Sequence, residues 1–247
     1  MLVNTFTIVL GETLEAGVLG SVLVYASLKL KITRKLLLLA LIIGAVGAVF
    51  YGANLAYVSS LFDYTGQEWV NALISFGVFL CLLLLSYRLL HNQKGSVMAL
   101  LFCSVMVFVH EGSELFIFYD SVQHANFIKV LLSGLVGLAV GLSLGVLIYY
   151  GILLSGKHQA SVAWLIMALI GTGMLMQSSQ YLIQADVLPA MEMLWNTEWI
   201  LSERSNLGQL LTATIRYEST PSLVEVVFYV LAWSLFIATR WLGRSNA

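Results

Sequence analysis

Seven apolar stretches divide the chain, at roughly 4–28, 36–60, 69–90, 96–121, 127–154, 161–183 and 222–241. A helix rises about 1.5 Å per residue, so a hydrocarbon core of about 30 Å takes about 20 apolar positions to cross. Each stretch meets that length, and the links are short except for residues 184–221. The pattern predicts an all-α polytopic membrane protein with seven transmembrane helices, forming a single membrane domain over 1–247. Two polar interruptions stand out, Glu12-Thr13-Leu14-Glu15 in the first stretch and Glu111-Gly112-Ser113-Glu114 in the fourth. Residues at i and i+3 lie about 60° apart around a helix, so each glutamate pair shares one face. A carboxylate at membrane depth costs about 2.5–3.5 kcal/mol on insertion scales. No lysine or arginine falls inside the spans beside them, so no basic partner is expected to neutralise them.

The two pairs also suggest an internal repeat. Spans one to three (1–95) and four to six (96–183) each open on an E-x-x-E helix. An odd number of spans separates the copies, so the second is inverted, a plan common among transporters with a site at the repeat interface. Residues 184–221 then form an outer loop, and 222–247 carry the seventh helix. Counted from the outer ends of their spans, Glu12 and Glu114 lie at similar depth. Glu15 and Glu111 lie one turn deeper, so all four are expected to meet at one level.

Composition agrees: 60% of residues are hydrophobic, only 10% are charged and the mean hydropathy is +0.91. A soluble domain carries about 25% charged residues. The net charge of −1 excludes a nucleic-acid footprint. Of the 12 basic residues, nine fall after spans one, three, five and seven: Lys29, Lys31, Arg34, Lys35, Arg88, Lys94, Lys157, Arg240 and Arg244. By the positive-inside rule the N-terminus is outside and the C-terminus cytoplasmic. The acids outside the two pairs all sort to the outer side, including Asp63, Glu68, Glu192, Glu203, Glu218 and Glu225. Positive-inside sorting alone displaces acids outward; an acidic mouth also concentrates cations. The N-terminal segment lacks a basic start and is not expected to be a cleavable signal.

Smaller features add detail. Gly137, Gly141 and Gly145 in span five, and Gly44, Gly47 and Gly52 in span two, have the spacing that lets helices approach closely. Trp195 and Trp199 suit a membrane interface. Leu207, Leu210, Leu211 and Ile215 recur at helical spacing, predicting a short helix that lies on the outer surface or dips into it. Pro221 marks the entry to span seven. Cys81 and Cys103 lie in separate spans and read as small apolar residues. Met174, Met176, Met191 and Met193 read as filler, although pairs of sulfurs also suit soft metals.

Carboxylate oxygens are hard ligands, suited to magnesium, calcium, manganese and iron. Two neighbouring carboxylates in a low-dielectric site repel, so one holds a proton until a cation arrives, and transport is expected to vary with pH. His110, four residues before Glu114, either hydrogen-bonds its glutamate or acts as a further ligand or proton acceptor. Asn54 is either a neighbour of the site or a helix-to-helix hydrogen bond. Gln177, Ser178, Ser179, Gln180 and Gln184 form a polar patch that lines the path or serves packing.

With these residues in place, the sequence resembles the high-affinity iron permease family (oxidase-dependent iron transporters), in its bacterial branch. The family pattern is R-E-x-x-E in spans one and four; here Gly11 and His110 stand where that arginine would be. Span six resembles the family G-x-G…Q-E segment in Gly171, Gly173 and Gln177, with Ser178 in place of the glutamate. Span seven opens on Tyr217, Pro221, Ser222 and Glu225, similar to Y-x-x-x-P-S-x-x-E. The resemblance implies import of iron, as transported substrate and not cofactor, across a plasma or bacterial inner membrane. The metal ligands it implies are Glu12, Glu15, Glu111 and Glu114, assisted by His110. It also implies a periplasmic or extracellular metal-binding or copper-containing partner protein. The alternative is a general divalent-cation or proton-coupled cation transporter using the same glutamates. An enzyme is not expected: neither glutamate pair has the histidine of a di-iron E-x-x-H site.

Overall fold

The structure is a computed structural model that describes residues 2–91, 93, 97–122 and 127–242. Lys94 and Arg244, counted above among the sorted basic residues, lie outside the described residues. The described residues form α1 (Leu2–Lys29), α2 (Arg34–Ala53), α3 (Leu55–Ser59), α4 (Gly66–Leu90), α5 (Val97–Ser121) and α6 (Phe127–Leu154). A 3-10 turn, Gly156–His158, leads into α7 (Gln159–Gln184), followed by α8 (Asn206–Ile215) and α9 (Leu223–Trp241). Seven of these, α1, α2, α4, α5, α6, α7 and α9, are long and apolar enough to cross a membrane.

The second span differs from its expected extent of 36–60. The helix breaks at Asn54, whose backbone leaves the helical region at φ −103°, ψ 11°. Its side-chain amide donates to the Phe50 carbonyl at 2.8 Å, within its own helix. Asparagine competes in this way for backbone acceptors and favours helix ends. Asn54 is exposed, and its side-chain bond stays within its own helix instead of joining two helices. After α3, Phe62, Asp63 and Tyr64 all take left-handed backbone conformations, with φ of 51°, 56° and 70°.

The spans pack in pairs: α1 lies along α6, α2 along α5, and α4 along α7, with α9 against α7 and α4. Most buried side chains come from α1, α4, α5 and α7; Leu19, Leu82, Leu100 and Met167 form one continuous core. Phe79 and Phe236 meet edge to face at 5.9 Å, tying α9 to α4. By contrast, α2 and α6 present Ile42, Val46, Phe50, Leu132, Val136 and Leu147 on the outside, as a lipid-facing shell requires.

The glycine spacing is explained at the crossings. A Cβ on Gly17 would lie 2.9 Å from the Gly141 carbonyl oxygen, and one on Gly145 would lie 2.6 Å from the Gly17 oxygen. The α1 and α6 backbones therefore touch with nothing between them. At the α2–α5 crossing, a Cβ on Gly47 would come within 2.7 Å of Val109, and one on Gly112 within 2.8 Å of Ala48.

Basic residues gather at one end of the bundle. Lys29, Arg88 and Lys157 line a cavity of about 360 Å³ there. Arg240 stacks over Trp164 at 5.2 Å, near the start of α7 and therefore at the same end. The opposite end is covered by residues 185–222. This segment is tied down by backbone bonds, Leu194 N–H to Pro221 O and Thr197 N–H to Ser219 O, both 2.9 Å. Ser205 caps α8 by accepting from the Gly208 N–H at 3.0 Å. The helix packs on α1 and α7, so of the two positions open to the 203–217 stretch it takes the one that dips into the bundle.

Candidate functional site

Helices α1 and α5 come from different halves of the chain and pack together, so the two E-x-x-E faces confront each other. Glu12 and Glu111 are within hydrogen-bonding reach, and Glu15 and Glu114 lie close enough to both for all four carboxyls to interact electrostatically. The four carboxyls therefore lie near one another. A hydrogen bond between two carboxyl groups requires a proton between them, since both oxygens are otherwise acceptors.

His110 sits among the glutamates. Its Nδ1 is 3.5 Å from Glu111 and its Nε2 is 3.7 Å from Glu114. Both distances exceed a good hydrogen bond but allow an ion pair with the protonated ring. The imidazole is held from behind by Tyr181, edge to face at 6.4 Å. Two buried atoms at this point have no hydrogen-bond partner, His110 Nε2 and one Glu111 oxygen, Oε2. An unsatisfied buried acceptor costs about 1–3 kcal/mol, so both are poised to take a partner. Exposure runs in one direction: the side chain of Glu111 is 4% exposed and that of Glu114 is 40% exposed. Glu114 therefore faces the accessible side and Glu111 the interior.

Glu15 contradicts an expectation. No basic group was anticipated beside the glutamates, yet Arg216 reaches in from the residue after α8 and pairs with it. Hydropathy could not reveal this, because Arg216 lies 201 positions from Glu15 and outside every apolar stretch. The visible hint was an arginine at the end of an amphipathic stretch on the acid-rich side of the bundle. Gly173 of α7 makes the passage possible: a Cβ there would lie 2.8 Å from the Arg216 Cγ. Its neighbour Gly171 leaves the same kind of space for the Phe236 ring, at 2.6 Å. The G-x-G segment is thus a seat for two side chains.

The polar patch on α7 divides by role. Ser178 donates to the Ala72 carbonyl at 2.9 Å, and Gln177 accepts from Ser75 at 3.3 Å while donating to Tyr181 at 3.3 Å. These bonds fasten α7 to α4 and position the tyrosine behind His110. Gln180 donates to Glu218 at 3.1 Å and Glu225 at 2.8 Å, joining the 185–222 segment to α9. Gln184 is exposed. Ser222 and Glu225 form a reciprocal capping box that starts α9. Burial pushes the Glu218 carboxyl above its ordinary range, and Glu203 and Glu225 nearby add to the shift.

Among the described residues, no three His, Cys, Asp or Glu side chains are set to ligate one metal ion. The glutamates are engaged in pairs instead, Glu12 with Glu111 and Glu15 with Arg216. Cys81 and Cys103 are unpaired, and Met174 and Met176 are buried. Comparison with protein-family models, with curated proteins and with solved structures gives no match. The likeness to the iron permeases rests on the motif residues alone.

Proposed function

We propose that this protein is a permease that moves iron across a plasma or bacterial inner membrane through the two facing glutamate pairs. The N-terminus lies outside, and a metal-binding partner delivers the ion. The observation that carries the reading is the meeting of four carboxyls from two halves of the chain, with an unsatisfied Glu111 oxygen and His110 nitrogen buried among them. A positive guest would satisfy these groups at once, and hard oxygen donors suit iron. In the pairwise engagement of the glutamates, a proton and a guanidinium hold places that a metal ion's charge would take.

The packing supports an inverted repeat as the frame of this site. Exchanging spans one to three with spans four to six turns the α1–α6 pair into the α5–α2 pair and returns α4–α7 to itself. Each exchanged crossing is made close by glycine. A pseudo-two-fold between the halves brings α1 and α5 together, where the ligands sit.

A second reading, a proton-coupled transporter of divalent cations, is favoured by the Glu114–His110–Glu111–Glu12 succession, which can hold and pass protons. Labelled iron uptake tests the first reading. Glu12→Gln, Glu15→Gln, Glu111→Gln and Glu114→Gln keep side-chain size and remove charge; each should lower uptake, and full uptake in all four refutes the role. Excess manganese or calcium that competes equally with iron favours the second reading.

A further inference from the structure

We infer that Arg216 is a tethered counter-cation that latches the site: its guanidinium holds Glu15 until a metal cation takes its place, and while seated it closes the route from the outer cavity to the glutamates. The inference rests on the transport reading and adds to it a residue that governs access.

Position is the first argument. Arg216 lines two separate spaces. One is an outer cavity of about 460 Å³ walled by Trp195, Tyr217, Glu218, Glu225 and Tyr229. The other is a small pocket that Arg216 shares with Glu15, Leu19, Ile170 and Met174. The arginine is therefore the partition between the carboxylate-bearing cavity and the glutamate face. Its side chain is 22% exposed, whereas that of Glu15 is 9% exposed, so the pair points inward from a wetter side to a drier one.

The mounting is the second. Arg216 directly follows the ten-residue helix α8 as its C-cap, and its N–H closes that helix on the Thr212 carbonyl at 3.0 Å. Its backbone is left-handed at φ 53°, a conformation that glycine normally supplies at a helix C-terminus. An arginine there carries strain of about 1–2 kcal/mol, which its contact with Glu15 offsets. When that contact is lost, the strain favours withdrawal. Space for the stem exists only because residue 173 is glycine.

Charge is the third. A guanidinium and a divalent cation compete for Glu15 Oε2 and repel each other across the carboxylate, so binding of one weakens the hold of the other. A buried ion pair repays its desolvation only narrowly, so an arriving ion of higher charge displaces it. Glu218 and Glu225 in the outer cavity offer the freed arginine, or the incoming ion, an alternative anion.

The test uses the full chain in liposomes, with Cys81→Ser, Cys103→Ala and Met174→Cys. A membrane-impermeant thiol reagent is applied from the side of residues 185–222. With Arg216 seated, the thiol at position 174 should react slowly. Arg216→Ala should speed labelling at least about tenfold, as local opening does. Glu15→Gln should do the same, because the anchor is gone. Millimolar manganous ion should speed labelling with Arg216 intact, and this arm requires no variant of the latch itself. Unchanged labelling in any one arm overturns the latch. A rise with Arg216→Ala but none with Glu15→Gln reduces the arginine to bulk and likewise overturns it. Iron flux in the same liposomes is read separately: full flux in all four single glutamate-to-glutamine variants refutes the transport reading while leaving the labelling result as it stands.

Discussion

Replacing Gly145 with alanine tests the packing that holds the first glutamate helix. The added Cβ would stand 2.6 Å from the Gly17 carbonyl oxygen and 2.9 Å from the Gly17 Cα. Ordinary contact begins near 3.4 Å, so α1 and α6 must part by about 0.8 Å. The obstacle is backbone, which cannot rotate aside. Overpacking of this kind costs about 1–3 kcal/mol. Gly151 lies on the same helix with nothing within 4 Å of its Cβ position. Alanine there gains up to about 1 kcal/mol of helix propensity without a clash. The two variants should therefore separate by about 2–3 kcal/mol in an SDS titration of the protein in mixed micelles, followed by circular dichroism. A Gly145→Ala protein as stable as Gly151→Ala refutes the backbone contact. Iron flux should fall in the first variant alone, since Thr13, between Glu12 and Glu15, hydrogen-bonds to Gly137 O at 3.4 Å across the same crossing.

Ser222→Ala removes the side chain that caps α9 and should lower stability by about 1 kcal/mol in the same titration. Ser222→Thr should restore most of it, and equal loss in both variants would argue against the cap. Glu218→Gln tests the acids at the end of the bundle covered by residues 185–222. The Glu218 carboxyl is raised in the folded protein, so the stability tied to its proton is complete at low pH and fades as pH rises through the raised value. The Gln variant should unfold at a higher temperature than the parent above neutrality and match it near pH 4. A gap independent of pH would contradict that sign.

Much of the architecture was legible because its cause is local. Seven apolar stretches of about 20 residues can satisfy their backbone in lipid only as helices, and all seven occur. The span-two boundary was missed because hydropathy does not register a side chain that bonds its own helix, as Asn54 does. The glutamate pairs were visible from spacing alone, and so were the glycine faces of α2 and α6. The S-x-x-E start of α9 was equally visible, yet its role as a cap came forward only with the Ser222 and Glu225 bonds.

The sequence by itself determined which segments are apolar enough to span a membrane and which carboxyls stand on a common helical face, because periods of 3.6 residues are written into neighbours. Only the tertiary structure decided that Glu12 meets Glu111, and that Arg216 folds back to Glu15. Both contacts join residues about a hundred or more positions apart. They depend on how deeply a polar segment sinks between helices, which is set by glycine-sized gaps in distant spans and leaves no period in the chain.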